Sequence, residues 1–135
     1  MAKKAAFGTT IGKTGATAIA YVKSIKGPGL SVDVVDVTTH DSTSAFEEAV
    51  ATIIRSGEVT VDIDYDPANA THKNAANGFI AIMLARTAVT WDIVMPGPAT
   101  ISFSGLAVGF EPDMAHDSSL TASLKIKPSG VITLP

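Results

Sequence analysis

Cysteine is absent from this chain. Disulfides and thiolate metal sites are therefore excluded, and the redox compartment leaves no trace. Charge is also scarce, at 17% of 135 residues, less than a soluble domain normally displays. A surface so poor in charge suits a chain that is largely covered by copies of itself. The net charge of -3 argues against a basic nucleic-acid-binding module. Aromatics are few, and Trp91 and its fellows fall at core parity, which argues against a stacking face for single strands. Long apolar runs are missing too: the longest, Gly78 to Ala85, is far short of the roughly 20 residues a spanning helix needs. Behind the charged start Met1–Lys4, the stretch Ala5 to Ile11 is broken by Gly8, Thr9 and Thr10, so it makes no convincing signal peptide. The chain reads as made and used in aqueous solution.

What is present is organised around Gly27 to Pro67. Leu30, Val32 and Val34 alternate with polar neighbours, as a half-buried strand should, and the phase slips at Val34–Val35, the mark of a bulge. A second strand carries Val59, Val61, Ile63 and Tyr65 on one face and Thr60, Asp62, Asp64 and Asp66 on the other. Between them the spacing predicts a helix over 44–55. Ser44 and Glu47 form a capping box, Phe46, Val50, Ile53 and Ile54 one stripe, and Gly57 the closing residue.

Before this unit, residues 1–16 lack periodicity and read as a flexible N-terminal arm, followed by a strand over 17–25. After it, Phe79, Ile80, Met83 and Leu84 fit a short second helix, with strand as the alternative. Val89–Met95 and Ala99–Phe110 form a hairpin across Pro96-Gly97-Pro98, with a bulge or bend at Gly105. A last strand runs from Leu120 until Pro128, and 129–135 is a tail. The expected fold is mainly β (α+β): one domain over 17–128, an antiparallel β-sandwich or partly open barrel with a packed helix.

Candidate chemistry is thin. GTTIGKTG at 8–15 is one residue short of a phosphate loop, and no strand precedes it. A calcium loop starting at Asp62 would need Gly and Glu where Pro67 and Lys73 stand, so the alternating Asp62, Asp64 and Asp66 read as an acidic strand face. His40-Asp41-Ser42 and His116-Asp117-Ser118 fall at turns, where Asp and Ser serve the backbone. With His72, the histidines have no spacing that builds a metal site or a triad. Neither catalysis nor a cofactor is expected. From Leu30 to Ala70 nine acids face Arg55 alone, so the acidity is concentrated in one region.

The blocks GPGLSVDVVDVTTHDS, GEVTVDIDYDP, FSGLAVGFEPD and LTASLKIKPSG, in this order, resemble the tail tube proteins of long, non-contractile-tailed bacteriophages, over roughly Ala18 to Gly130. The resemblance implies a virion protein assembled in the host cytoplasm, without the added C-terminal immunoglobulin-like domain of some members. It implies hexameric rings stacked into a tube, with tape measure protein inside, tail tip and terminator proteins at the ends, DNA only in transit, and no membrane. Roughly four strands from each of six copies would close a barrel about 48 Å across, about 38 Å inside its side chains, enough for duplex DNA. Lumen-facing candidates are Asp62 and Asp64, then Asp33 and Asp36. Ring-to-ring or subunit contacts are expected from Thr38, Thr39, His40, Asp41 and Ser42, and from Lys3 and Lys4 in the arm. Two alternatives are a secretion-machine tube of the same architecture and a surface- or carbohydrate-binding β-sandwich. The loops' shortage of aromatics weighs against the latter.

Overall fold

A computed structural model describes residues 7–41, 43–75, 78–97, 99–116 and 119–135. Among the described residues eight strands and one α-helix follow in chain order: β1 (Thr10–Lys13), β2 (Val22–Lys26), β3 (Leu30–Asp36), β4 (Ala49–Ser56), β5 (Val59–Asp64), α1 (Phe79–Ala85), β6 (Val89–Met95), β7 (Ala99–Asp113) and β8 (Thr121–Thr133). Six strands form one antiparallel sheet in the order β1-β6-β7-β8-β5-β2, and β3 pairs only with β4 as a separate hairpin. The larger sheet curls into a half-barrel. The mainly-β expectation therefore holds, as does the short helix at residues 79–85.

Period-two alternation builds the core. Val59, Val61 and Ile63 of β5 meet Ile126, Leu124 and Ala122 of β8 in register, and all six are almost fully buried. Ile11, Trp91, Ile93 and Phe103 extend that layer, and α1 covers it through Phe79, whose ring centroid lies 6.0 Å from that of Trp91. Trp91 Nε1–H also donates to Gly105 O at 3.1 Å, which satisfies its one polar group inside the core. Gly78 opens the helix where a Cβ would lie 1.9 Å from Lys73 O; no other residue fits there.

The expected helix over 44–55 is overturned: Ala49–Ser56 is a strand, after a single 3-10 turn over Thr43–Ala45. Ser44, the expected cap, and Ala45 both have left-handed backbone angles. Two forces favour the strand. Val50, Thr52, Ile53 and Ile54 are β-branched, and β3 supplies a hydrogen-bonding partner. The helix, by contrast, needed a sheet to cover, and Phe46, Val50, Ile53 and Ile54 all stand exposed instead. The bulge is real, but it falls between Val32 and Val34, with the extra residue on β4.

Two boundaries also move. Residues 10–13, assigned to the arm, form β1 against β6, with Ile11 wholly buried. Pro128 does not stop the last strand, which runs on to Thr133. Pro128 sits opposite Gly105, at the register shift of β7, where a missing N–H costs the ladder least.

Candidate functional site

The outward face of the large sheet gathers acids from two strands, β5 and β7. Asp62 on β5 lies opposite Ser24 on β2 and Ser123 on β8, and Ser123 lies opposite Glu111 on β7. One row further along, Asp64 faces Thr121, which faces Asp113. Because side chains alternate and the intervening residues point into the core, Asp62, Asp64, Glu111 and Asp113 share the solvent side. Asp62, Glu111 and Asp113 line a shallow cleft of about 650 Å³, and Asp64 stands beside it in the next row. Asp62 Oδ2 accepts from the Ser24 hydroxyl at 3.0 Å. Lys23 Nζ lies 3.5 Å from Asp64 Oδ1, an ion pair in which that oxygen makes no hydrogen bond. Among the described residues Lys23 is the one cation lining this cleft, so the three carboxylates of Asp62, Glu111 and Asp113 outweigh it. Further along the same face, Lys125 stands opposite Thr60.

Sequence reasoning thus placed Asp62 and Asp64 on one face, and the fold adds Glu111 and Asp113. The signal for those two was their spacing around Pro112, passed over because the strand was expected to end at Phe110. Asp33 and Asp36 are not on this face: both belong to the hairpin. Asp33 Oδ2 accepts from Arg55 Nε at 2.6 Å. Asp36 Oδ1 accepts from Thr38 N–H at 2.8 Å, and hydrogen bonds from the Thr38 side chain and then its backbone hold the Asp36 carboxyl below its ordinary 3.8.

The hairpin end carries the remaining candidates. Thr38 Oγ1 accepts from Glu48 N–H at 2.7 Å, and Asp41 N–H donates to Thr39 Oγ1 at 3.3 Å, so this turn is ordered by its own polar side chains. Thr38, Thr39, His40 and Asp41 are exposed. Ser42, Lys3 and Lys4 lie outside the described residues. The hairpin's apolar side chains are exposed on both faces: Val34 is 66% accessible, Ile54 69% and Phe46 74%.

No group of His, Cys, Asp and Glu among the described residues is arranged to hold a metal. His72 is buried; its Nδ1 accepts from Asp66 N–H at 3.1 Å and its Nε2 donates to Ala20 O at 2.7 Å. That pairing fixes its tautomer and gives it a structural role, tying the loop after β5 to the start of β2. Among the described residues, no helix is long and apolar enough to cross a membrane.

No curated protein matches the chain as a relative. Solved structures share its fold, and three of them illustrate the likeness. A chain of the virion of a native gene transfer agent particle is 11% identical, with a TM-score of 0.79 over 98% of this chain and 99% of that one. A chain of the tail of an empty gene transfer agent particle, of C6 symmetry, is 13% identical, with a TM-score of 0.70 over 93% and 94%. A chain of the anti-feeding prophage baseplate, six-fold symmetrised, is 13% identical, with a TM-score of 0.69 over 100% and 97%. Residues 2–134 match the profile of the lambda phage tail tube protein. The chain belongs to the lambda phage tail tube protein family and is a structural tail component of a phage-like particle.

Proposed function

We propose that copies of this chain form hexameric rings that stack into a tube, and that the acidic face of the large sheet lines its channel. The observation that carries this reading is the contiguous outward face of β2, β5, β8 and β7, bearing Asp62, Asp64, Glu111 and Asp113 over a core that closes the opposite side. Four neighbouring strands are what a closed barrel of about 24 strands requires from each of six copies. Sheet edges left open at β1 and β2 in one copy would be covered by the next, which removes their tendency to pair at random.

The action is physical, with no catalytic step. Duplex DNA carries one negative charge per about 1.7 Å, so a basic wall would hold it and an acidic wall lets it slide. Before ejection the same channel would contain the tape measure protein, with tip and terminator proteins closing the ends. The hairpin end at Thr38, Thr39, His40 and Asp41 supports contact between rings, since its polar turn is rigid and solvent-facing. The likeness to the anti-feeding prophage chain shows shared fold alone, so an injection tube of the same architecture is the second reading.

The test is the variant Asp62→Lys/Asp64→Lys/Glu111→Lys. Tubes of normal width are expected by electron microscopy, with delivery of packaged DNA reduced at least tenfold. Normal delivery from intact tubes would take these residues off the channel wall.

A further inference from the structure

Between the open side of β4 and the end of β8 lies an apolar cleft of about 700 Å³, lined by Leu30, Ile53, Ile54, Val131, Ile132 and Leu134. Lys127 stands on its rim and donates to Ser56 O at 2.8 Å, and Arg55 borders it as well. At the other end of the same hairpin, Phe46 is largely exposed. The turn that presents it is held by Phe46 N–H to Thr43 O at 3.2 Å and Val37 N–H to Glu48 O at 2.9 Å. The segment that carries Phe46 also carries Asp36, Asp41, Glu47 and Glu48, with no lysine or arginine between Asp36 and Ile54.

We infer that this cleft receives the Phe46 end of a second copy's hairpin. The inference rests on the tube reading and deepens it by naming the surface that accepts the hairpin. Three observations converge on a second copy as the occupant. The cleft is apolar and Phe46 is an unburied aromatic of matching chemistry. The end is acidic and the rim is basic, so the same approach that seats the ring brings carboxylates toward Lys127. Finally, the tip cannot fill the cleft of its own chain. Strand β3 alone separates Leu30 from Asp36 by roughly 20 Å, and Phe46 lies beyond that. Each chain then offers one tip and one cleft, different surfaces of the same molecule. Such a contact is heterologous and propagates from copy to copy, closing into rings or extending into stacks.

The experiment replaces Phe46 by the photoreactive p-benzoylphenylalanine, doped as a minority into isotopically labelled full-length chain, so that adducts between copies are distinguishable by mass. Illumination of assembled rods should place most adducts on residues 128–134 or 53–56 of the labelled chain. The absence of native cysteine permits a second measurement. Under oxidation Phe46→Cys/Val131→Cys should give a ladder of disulfide-linked multimers, and an equal mixture of the two single variants should give dimers only. Rods that form with adducts elsewhere, and without a ladder, would overturn the docking while leaving the tube intact. Failure of the unaltered chain to form rings or rods at any concentration would overturn the tube reading, and the docking with it.

Discussion

The two sheets of this molecule are built from the same residue types and meet opposite fates. In the six-stranded sheet, valines and isoleucines of β5 and β8 are at most 1% accessible at Val59, Val61, Ile63 and Ile126. In the hairpin, Val32, Val34, Val35, Ile53 and Ile54 are all at least half accessible. The large sheet has a helix across its inner face and curvature that brings its own strands together. The hairpin has two strands and, among the described residues, no further strand paired with them, a unit that is marginal by itself in water. Apolar residues therefore divide into two sets: one holds the chain together, and the other, in the proposed docking, awaits a surface outside the chain. Each reserved side chain would contribute about 1.5–3 kcal/mol on full burial, which is ample for assembly.

The comparison breaks if either set can be removed with the other's consequence. Trp91→Ala should have the largest effect. It leaves a cavity beside Phe79 and Phe103 and removes the hydrogen bond to Gly105 O, a loss of about 3–5 kcal/mol in denaturant unfolding of the unassembled chain. A loss below about 1 kcal/mol would mean that the large sheet is not the folding unit. In contrast, Val34→Ser/Ile54→Ser should change the same unfolding free energy by no more than about 0.5 kcal/mol per site. It should nevertheless raise the concentration needed for rods by at least tenfold, equivalent to about 1.4 kcal/mol, as read by light scattering. A double variant that assembles normally would show that the hairpin is merely tolerated exposure.

A smaller effect sharpens the same contrast. Asp33 and Arg55 form the hairpin's ion pair across β3 and β4, with the Arg55 side chain 61% and the Asp33 side chain 44% accessible. Exposure and salt screen such a pair, so Arg55→Gln should cost under about 1 kcal/mol, visible as faster amide exchange in β4 and not as a lower melting temperature. A drop in melting temperature would mean that the hairpin and the body unfold together.

How much of this was legible in sequence follows from the same division. Wherever alternation fed a core made by the chain itself, as at Val59–Asp64, Val89–Met95 and the start of β7, the strand was readable and its buried face correct. The stripe Phe46, Val50, Ile53 and Ile54 misled because periodicity reports which residues want burial and assumes that the chain provides it. With the gap Glu47-Glu48-Ala49 and a bulge, a strand exposed on both faces imitates a helical stripe. Ile11 was unreadable for a different reason: β1 is only four residues long, and its partner in β6, Ile93, lies far along the chain. Of the acidic face, Asp62 and Asp64 were visible from period two within one strand. Their joining to Glu111 and Asp113 depends on the β5-β8-β7 register, which no single stretch encodes.

The finest distinction lies at the hairpin end, where polarity replaces packing. Hydrogen bonds from the Thr38 side chain and backbone favour the charged form of Asp36 and lower its carboxyl from 3.8. A carboxyl depressed in the folded chain binds its proton more weakly there than when unfolded. The stabilisation of the turn is thus fully present above 3.8 and is lost as pH falls through the lowered value. Asp36 is open to water, so the consequence is local. Carboxyl NMR titration should place Asp36 below 3.8, and Thr38→Val should return it toward 3.8. The amides of Thr38 and Glu48 should lose exchange protection over that acid range while those of β5 and β8 do not. Simultaneous loss in both regions would show that the hairpin's order is borrowed from the body, and the two sheets would then be one cooperative unit.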